Sequence, residues 1–188
     1  MLKKLAIGLI AGTGVFATVL APAAQASSGL PGKSQWESDV NAVAKPLMSY
    51  VQQRLAGSKP GDHLALVLDI DNTSLASHYD PGKPVKPVLA VTQYAHQHGA
   101  AILFATYRSD SSRRSTTMEL HNAGYTVDGL CMKTKSSAGK ADVKLSCRES
   151  FEKQGYTLVA NIGNNDTDFK GGHYEKGFEL PNYGGALS

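Results

Sequence analysis

Two carboxylates one residue apart, Asp69 and Asp71, close the apolar run of LALVLDIDNT at Leu64 to Thr73. If the extended path continues one step past the strand, both project to the same side, because side chains in a strand repeat with period two. Polar clusters end two later apolar runs as well. Thr106-Tyr107-Arg108-Ser109 follows Ala101 to Ala105, and Gly163-Asn164-Asn165-Asp166-Thr167-Asp168 follows Tyr156 to Ile162, with Lys140 and Lys144 between them. Asp69, Asp71, Thr106, a lysine and Asn164 or Asp168 make a poor zinc site but a good magnesium and phosphate site. Hard oxygen ligands select Mg²⁺, which takes one or two carboxylates and completes its shell with water and phosphate oxygens. A carboxylate can attack phosphorus if a cation and a lysine offset the phosphoryl charge. Thr106 can donate to the same oxygens, and Asp71 can serve the leaving alcohol and then water as acid and base.

The elements that must position these groups alternate. The unalternating Leu64–Leu68 run suits a strand covered on both faces. A helix is expected over Trp36 to Leu55, capped by Ser34 or Ser38, with Pro46 implying a kink or two shorter pieces. Ser74 to Pro87, rich in Pro and Gly, reads as a loop over the sheet edge, too short for a large folded cap, so that the site is open to varied monoesters. Helices follow at about Val88 to His98, from Asp110 or Ser111 to about Asn122, and at Lys140 to about Gln154. Strands are expected at Ala101–Ala105, weakly at Tyr125–Met132, at Tyr156–Ile162 and, as an edge, near Phe178–Leu180. This alternation predicts an α/β fold, a Rossmann-like three-layer parallel sheet with helices on both faces, whose strand ends bring the polar clusters to one crevice.

Export is readable at the start of the chain. Lys3 and Lys4 precede an apolar stretch to Leu20, and Ala24-Gln25-Ala26 supplies a cleavage signal, so residues 1–26 are expected to be a secretory signal peptide cleaved near Ala26. Residues 27–35 then form a mobile linker, and residues 36–188 a single domain, secreted and without membrane attachment after cleavage. Loss of Lys3 and Lys4 lowers the formal charge from +3 to +1, which gives no argument for nucleic-acid or membrane-surface binding. In an oxidising compartment Cys131 and Cys147 are expected to form a disulfide, closing a loop of about 15 residues and contributing roughly 3 kcal/mol in the chain-entropy model. Two buried thiols or a metal site are the alternatives, and neither CxxC nor histidine spacing accompanies them.

The motifs resemble those of the haloacid dehalogenase (HAD) superfamily of phosphatases. DIDNT at Asp69 to Thr73 is similar to its first motif, FATYRS at Phe104 to Ser109 to its second, and NIGNNDTDF at Asn161 to Phe169 to its fourth. Arg113, Thr116, Leu120, Gly124-Tyr125 and the closing Phe178-Glu179-Leu180-Pro181-Asn182 resemble the secreted acid phosphatase branch, which includes plant vegetative storage proteins. The resemblance implies a minimal cap and an Mg²⁺-dependent phosphomonoesterase acting on a small phosphomonoester through an aspartyl phosphate. It makes Asp69 nucleophile and metal ligand, and Asp71 the acid/base that also binds metal through its backbone carbonyl. Thr106, with Tyr107 and Arg108, would hold the phosphoryl group, and Asn164 and Asp168 would complete the metal site. Lys144 is preferred over Lys140 as the third-motif lysine because Lys144 to Arg148 matches the family's spacing. The fourth motif departs from the usual pattern, with Asn164 where an acid is commonest, so that Asp168, or as second choice Asp166, takes a larger share of the metal. A non-catalytic binding or storage protein, or a phosphotransferase with the same residues, are the alternative functions. Oligomeric state is not legible.

Other readings of these residues are weaker. Asp69 to Asp80 has oxygens where a calcium loop places its first three ligands, but Ser74 stands where that loop needs Gly. None of the six histidines has metal spacing, and His78 is expected as an exposed loop residue. Arg108 has two possible partners, a neighbouring acid first and phosphate second. Trp36 is expected to pack against the sheet.

Overall fold

A computed structural model describes residues 29–136 and 139–187. The expected signal peptide, residues 1–26, lies outside the described residues. The first element is α1, Lys33–Ala56, followed by β1, Leu64–Leu68; α2, Lys86–Gln97; β2, Ala101–Ser109; α3, Arg113–Asn122; β3, Gly129–Lys133; α4, Lys140–Lys153; β4, Thr157–Gly163; and β5, Lys176–Glu179. All five strands run parallel in the order β3-β2-β1-β4-β5. This is the expected α/β architecture, with β1 at its centre.

Both faces of β1 are covered, which explains why its sequence does not alternate. Leu64, Leu66 and Leu68 point into a core built with α1, α2 and Leu120 of α3. Ala65 and Val67 point the other way, into a second core with Val143, Cys147 and Phe151 of α4. Burial of a leucine such as Leu66 or Leu68 contributes about 1.5–3 kcal/mol, so a polar residue within β1 would be costly. Polar groups are therefore confined to positions beyond the end of the strand.

Several boundaries differ from expectation for local reasons. α1 starts at Lys33, inside the stretch expected to be linker, and its N-cap is Gly32 instead of Ser34 or Ser38. Trp36 fixes that first turn: it is buried and stacks on Tyr79 at 4.6 Å, while the Tyr79 hydroxyl donates to the Pro31 carbonyl at 2.9 Å. The same helix runs through Pro46 as one element, held by Val40, Ala44, Leu47 and Val51 on its buried face. α2 begins two residues early with Pro87 in its first turn, where a missing N–H costs nothing.

β2 extends four residues beyond Ala105 because it pairs with β3 out to Ser109 opposite Lys133, with a register shift after Thr106. β3 begins only at Gly129, since Tyr125 is buried in the core and sends its hydroxyl to the Ser74 carbonyl at 2.8 Å. Gly129 has a packing reason: a Cβ there would lie 2.7 Å from Leu103 Cδ2 and 3.2 Å from a Phe151 ring carbon. The segment between β1 and α2 is pinned, with Leu75, Ala76 and Val85 buried and Val85 N–H donating to the Ser74 carbonyl at 2.8 Å.

Cys131 of β3 and Cys147 of α4 are bridged, with Cα atoms 5.6 Å apart, which is ordinary disulfide spacing. The free-thiol and metal alternatives are thereby removed. Among the described residues no helix is long and apolar enough to cross a membrane.

Candidate active site

Chain order reverses its direction across the sheet between β1 and β4, and a crevice opens at the carboxyl ends of strands at such a point. Leu68 is level with Phe104 of β2 and Ile162 of β4, and Asp69 N–H extends the ladder to the Ile162 carbonyl at 2.9 Å. The residues just past these positions are Asp69, Thr106 and Asn164. They line one cavity of about 240 Å³ together with Asp71, Lys144, Tyr107 and Arg108.

The chain turns sharply after Asp71. Asn72 takes a left-handed conformation, φ 54°, and the N–H groups of Ser74 and Leu75 each reach the Ile70 carbonyl at 2.9 Å. Asparagine is among the few residues that adopt this region readily. Ser74 Oγ also donates to the Asp69 carbonyl at 2.7 Å. Asp69 therefore stays on the strand axis while Asp71 swings outward.

The two carboxylates meet different surroundings. Asp69 is buried, and Lys144 Nζ lies 3.0 Å from its Oδ1. Burial, then repulsion from Asp168, pushes the Asp69 carboxyl up to about 7 despite the lysine. Burial would lower the Lys144 ammonium, but attraction to Asp69 and Asp168 outweighs it and raises its pKa. The half-exposed Asp71 carboxylate is gripped by Arg108, Nε at 2.8 Å and Nη2 at 2.6 Å, and by Ser77 Oγ at 2.7 Å. Burial opposes ionisation there too, but these bonds outweigh it and hold Asp71 below the usual carboxylate range. Arg108 Nη1 is bonded to Glu119 at 2.6 Å, so this guanidinium lines the cavity while paired with two neighbouring acids.

Asp168 is buried behind the cavity and does not line it. One oxygen is taken by Lys144, and the other accepts the N–H groups of Asn164 at 3.1 Å and Asn165 at 2.9 Å. Its geometry is that of a residue holding Lys144 and the loop. Gly163 is required beside it, because any Cβ there would collide with the Asp168 side chain.

Lys144, rather than Lys140, makes both ion pairs, although Lys140 lines the rim. Arg148, one turn further along α4 and buried, explains the spacing. Its Nη1 donates to the Asp168 carbonyl at 2.6 Å, its Nε to the Gly172 carbonyl at 2.6 Å, and its Nη2 to the Lys170 carbonyl. One helix face thus carries the lysine and the clamp on the loop that positions it.

Asn165 and Thr167 of the expected polar cluster also line the cavity, while sequence reasoning missed Leu187, which lines it too, and Glu119, which holds Arg108. Leu187 carries no chemical signal; only the return of the chain brings it there. The Ser74–Pro87 loop contributes no lining residue, so it does not form the cavity wall.

The groups around Asp69 fit a hard divalent cation. Among the lining residues, the Asp69 carboxylate and the Asn164 amide offer oxygen donors. Two buried carboxylates, Asp69 and Asp168, face a single buried ammonium, leaving negative charge to be offset. Among the described residues no group of three or more His, Cys, Asp and Glu gathers as a metal site.

Comparison with known proteins bears on the fold and the family. The fold is similar to the class C acid phosphatase of Bacillus anthracis in two crystal structures. One has tungstate bound, with a TM-score of 0.65, 17% identity, and coverage of 81% of this chain and 80% of that one. The other has a TM-score of 0.65 at 16% identity with the same coverage, 81% and 80%. No curated protein matches the chain. Residues 78–186, more than half of the sequence and beginning just after the DIDNT turn, match the family described as HAD superfamily, subfamily IIIB (Acid phosphatase). The chain belongs to that family of acid phosphatases and is a phosphomonoester hydrolase.

Proposed function

We propose that this is a secreted, Mg²⁺-dependent phosphomonoesterase in which Asp69 forms a covalent aspartyl phosphate. The observation that carries the reading is the buried Asp69 carboxylate at the carboxyl end of β1, with Lys144 Nζ 3.0 Å away at the base of the cavity. An Asp69 oxygen attacks phosphorus, and the bond from phosphorus to the ester oxygen breaks. Lys144 and the Thr106 hydroxyl stabilise the phosphoryl oxygens as charge builds on them. Asp71, as the carboxylic acid, protonates the departing alkoxide. As the carboxylate it then takes a proton from the water that attacks the phosphoenzyme, freeing Asp69 and phosphate. Asp69, the Asp71 carbonyl and Asn164 would hold Mg²⁺, whose chemistry when bound would be neutralisation of the phosphoryl charge. Asp168 holds Lys144 and the Asn164–Asn165 backbone in place.

Arg108 keeps Asp71 ionised in the resting protein, so the step that needs its proton is favoured by acidic solution. Secretion is supported by the signal-like residues 1–26 and by the Cys131–Cys147 bridge. Amino-terminal sequencing of the exported protein checks cleavage near Ala26.

The test is turnover of an aryl phosphate by the mature protein with Mg²⁺, with chelator, and as Asp69→Asn. Metal-dependent hydrolysis that disappears in the variant is expected, with at least about a thousandfold loss on removing the nucleophile. Absence of metal-dependent turnover in the wild type would reject the reading in favour of a non-catalytic relative. An alcohol that diverts product from phosphate to a new ester would identify phosphotransfer on the same residues.

A further inference from the structure

We propose that the Asn182–Leu187 segment is a fixed wall of the active site and that the Leu187 backbone carbonyl is the positioning partner of Asn164. This rests on the assignment of Asn164 to the cation site. Leu187 is buried, lines the catalytic cavity, and accepts two side-chain amides: Asn72 Nδ2 at 3.0 Å and Asn164 Nδ2 at 3.1 Å. Asn72 and Asn164 are themselves buried and come from the loops after β1 and β4. One peptide oxygen therefore joins both sides of the switch point.

The segment is built to reach that position. Leu180 N–H continues the sheet ladder to the Gly163 carbonyl at 2.8 Å. Tyr183, Gly184 and Gly185 then take left-handed conformations in succession, φ 53°, 69° and 92°, and turn the chain back. For a tyrosine that conformation costs on the order of 1 kcal/mol, and it persists only where surroundings hold it. The holding contacts are present. Tyr183 Oη donates to Asp39 Oδ2 of α1 at 2.7 Å, and Leu187 N–H donates to the Asn182 carbonyl at 3.2 Å.

The chemistry of the contact accounts for the amide at position 164. A peptide carbonyl only accepts hydrogen bonds, so its partner must donate. An aspartate at 164 would set carboxylate oxygens against the Leu187 oxygen, whereas the asparagine places its NH₂ there. With Nδ2 spent on Leu187, the amide cannot rotate freely, and Oδ1 is fixed on the side of the Thr73 hydroxyl, 3.5 Å away. The charge absent from the fourth motif is the condition for docking the segment, and the docked segment orients the oxygen that remains as a ligand.

Wild type, Asn164→Asp and a Gly184→Val/Gly185→Val double variant, which strains the reversal, are compared in the full chain by amide hydrogen exchange and by Mg²⁺ calorimetry. Asn164→Asp should speed exchange across residues 183–187 by about tenfold or more while leaving the strands protected. The glycine variant should weaken Mg²⁺ binding by about tenfold, in the range seen when a partner that orients a ligand is removed, with its sheet strands still protected from exchange. Unchanged exchange in Asn164→Asp overturns the docking. Unchanged Mg²⁺ affinity in a glycine variant whose tail exchanges fast overturns the positioning role. A wild type that binds no Mg²⁺ overturns the proposed function and the positioning role together, whereas the exchange comparison decides docking independently of both.

Discussion

Asp69 and Asp71 differ because one stays on the strand axis and the other follows the left-handed turn at Asn72. Asp69 meets burial and Lys144, and Asp71 meets Arg108. In the proposed mechanism the acid/base role falls to the carboxylate with access to water and a cationic neighbour, and Arg108 would set the pH at which it works. Replacing Arg108 by Met removes both bonds to Asp71 and leaves Ser77. The folded-state pKa of Asp71 should then rise, keeping the acid form to higher pH. We expect the pH profile of kcat for aryl phosphate hydrolysis to move upward. An unmoved profile would mean that Asp71 does not carry the titrating proton.

At the scale of the element, α4 does three jobs on neighbouring turns. Val143, Cys147 and Phe151 face the sheet, while Lys144 and Arg148, four residues apart on the adjoining row, face the site loop. The Cys131 bridge fixes this helix against β3. Replacing both cysteines by alanine should destabilise the oxidised protein by about 2–4 kcal/mol, read by denaturant unfolding. Because sheet packing still holds α4 in register, kcat at low temperature should change less than threefold. A large kcat loss with little change in stability would show that the bridge, and not the core, sets the position of Lys144.

At the scale of the molecule, α1 and the chain entering β5 are tied far from the site by Arg54 and Glu175, Nε to Oε2 at 2.8 Å and Nη2 to Oε1 at 2.9 Å. Arg54 is the main cause that holds the Glu175 carboxyl below the ordinary value of 4.5. A carboxyl with a lowered folded-state pKa contributes stability above its unfolded value, and that contribution is lost as pH falls through the folded one. The pair is partly exposed, so its worth is under about 1 kcal/mol. Glu175→Gln should melt at most about 2–4 °C below wild type at pH 7, and the gap should narrow as pH falls below the ordinary value of 4.5 and through the lowered folded one, as followed by circular dichroism. A gap that persists in acid would point to lost packing instead of lost charge.

The sequence by itself determined the parallel sheet, the catalytic candidates and their order along the chain. Each was written locally, in the unalternating Leu64–Leu68 run, in polar residues placed where burial ends, and in the glycines and helical periods between them. The family resemblance favoured Lys144 over Lys140 through the four-residue step to Arg148, and tertiary structure gives both ion pairs to Lys144 and shows the clamp of Arg148 on residues 168–172. Tertiary structure decided what depends on distant partners. Asp168 reads as a ligand in the motif, yet both its oxygens are taken by Lys144 and by the Asn164 and Asn165 N–H groups. Arg108 reads as a phosphate group's partner or an acid's, and Glu119 on α3 settles its orientation toward acids. Leu187 reads as nothing, because a backbone carbonyl has no residue type to recognise. It enters the site only because three left-handed residues turn the last strand's exit back to Asn72 and Asn164.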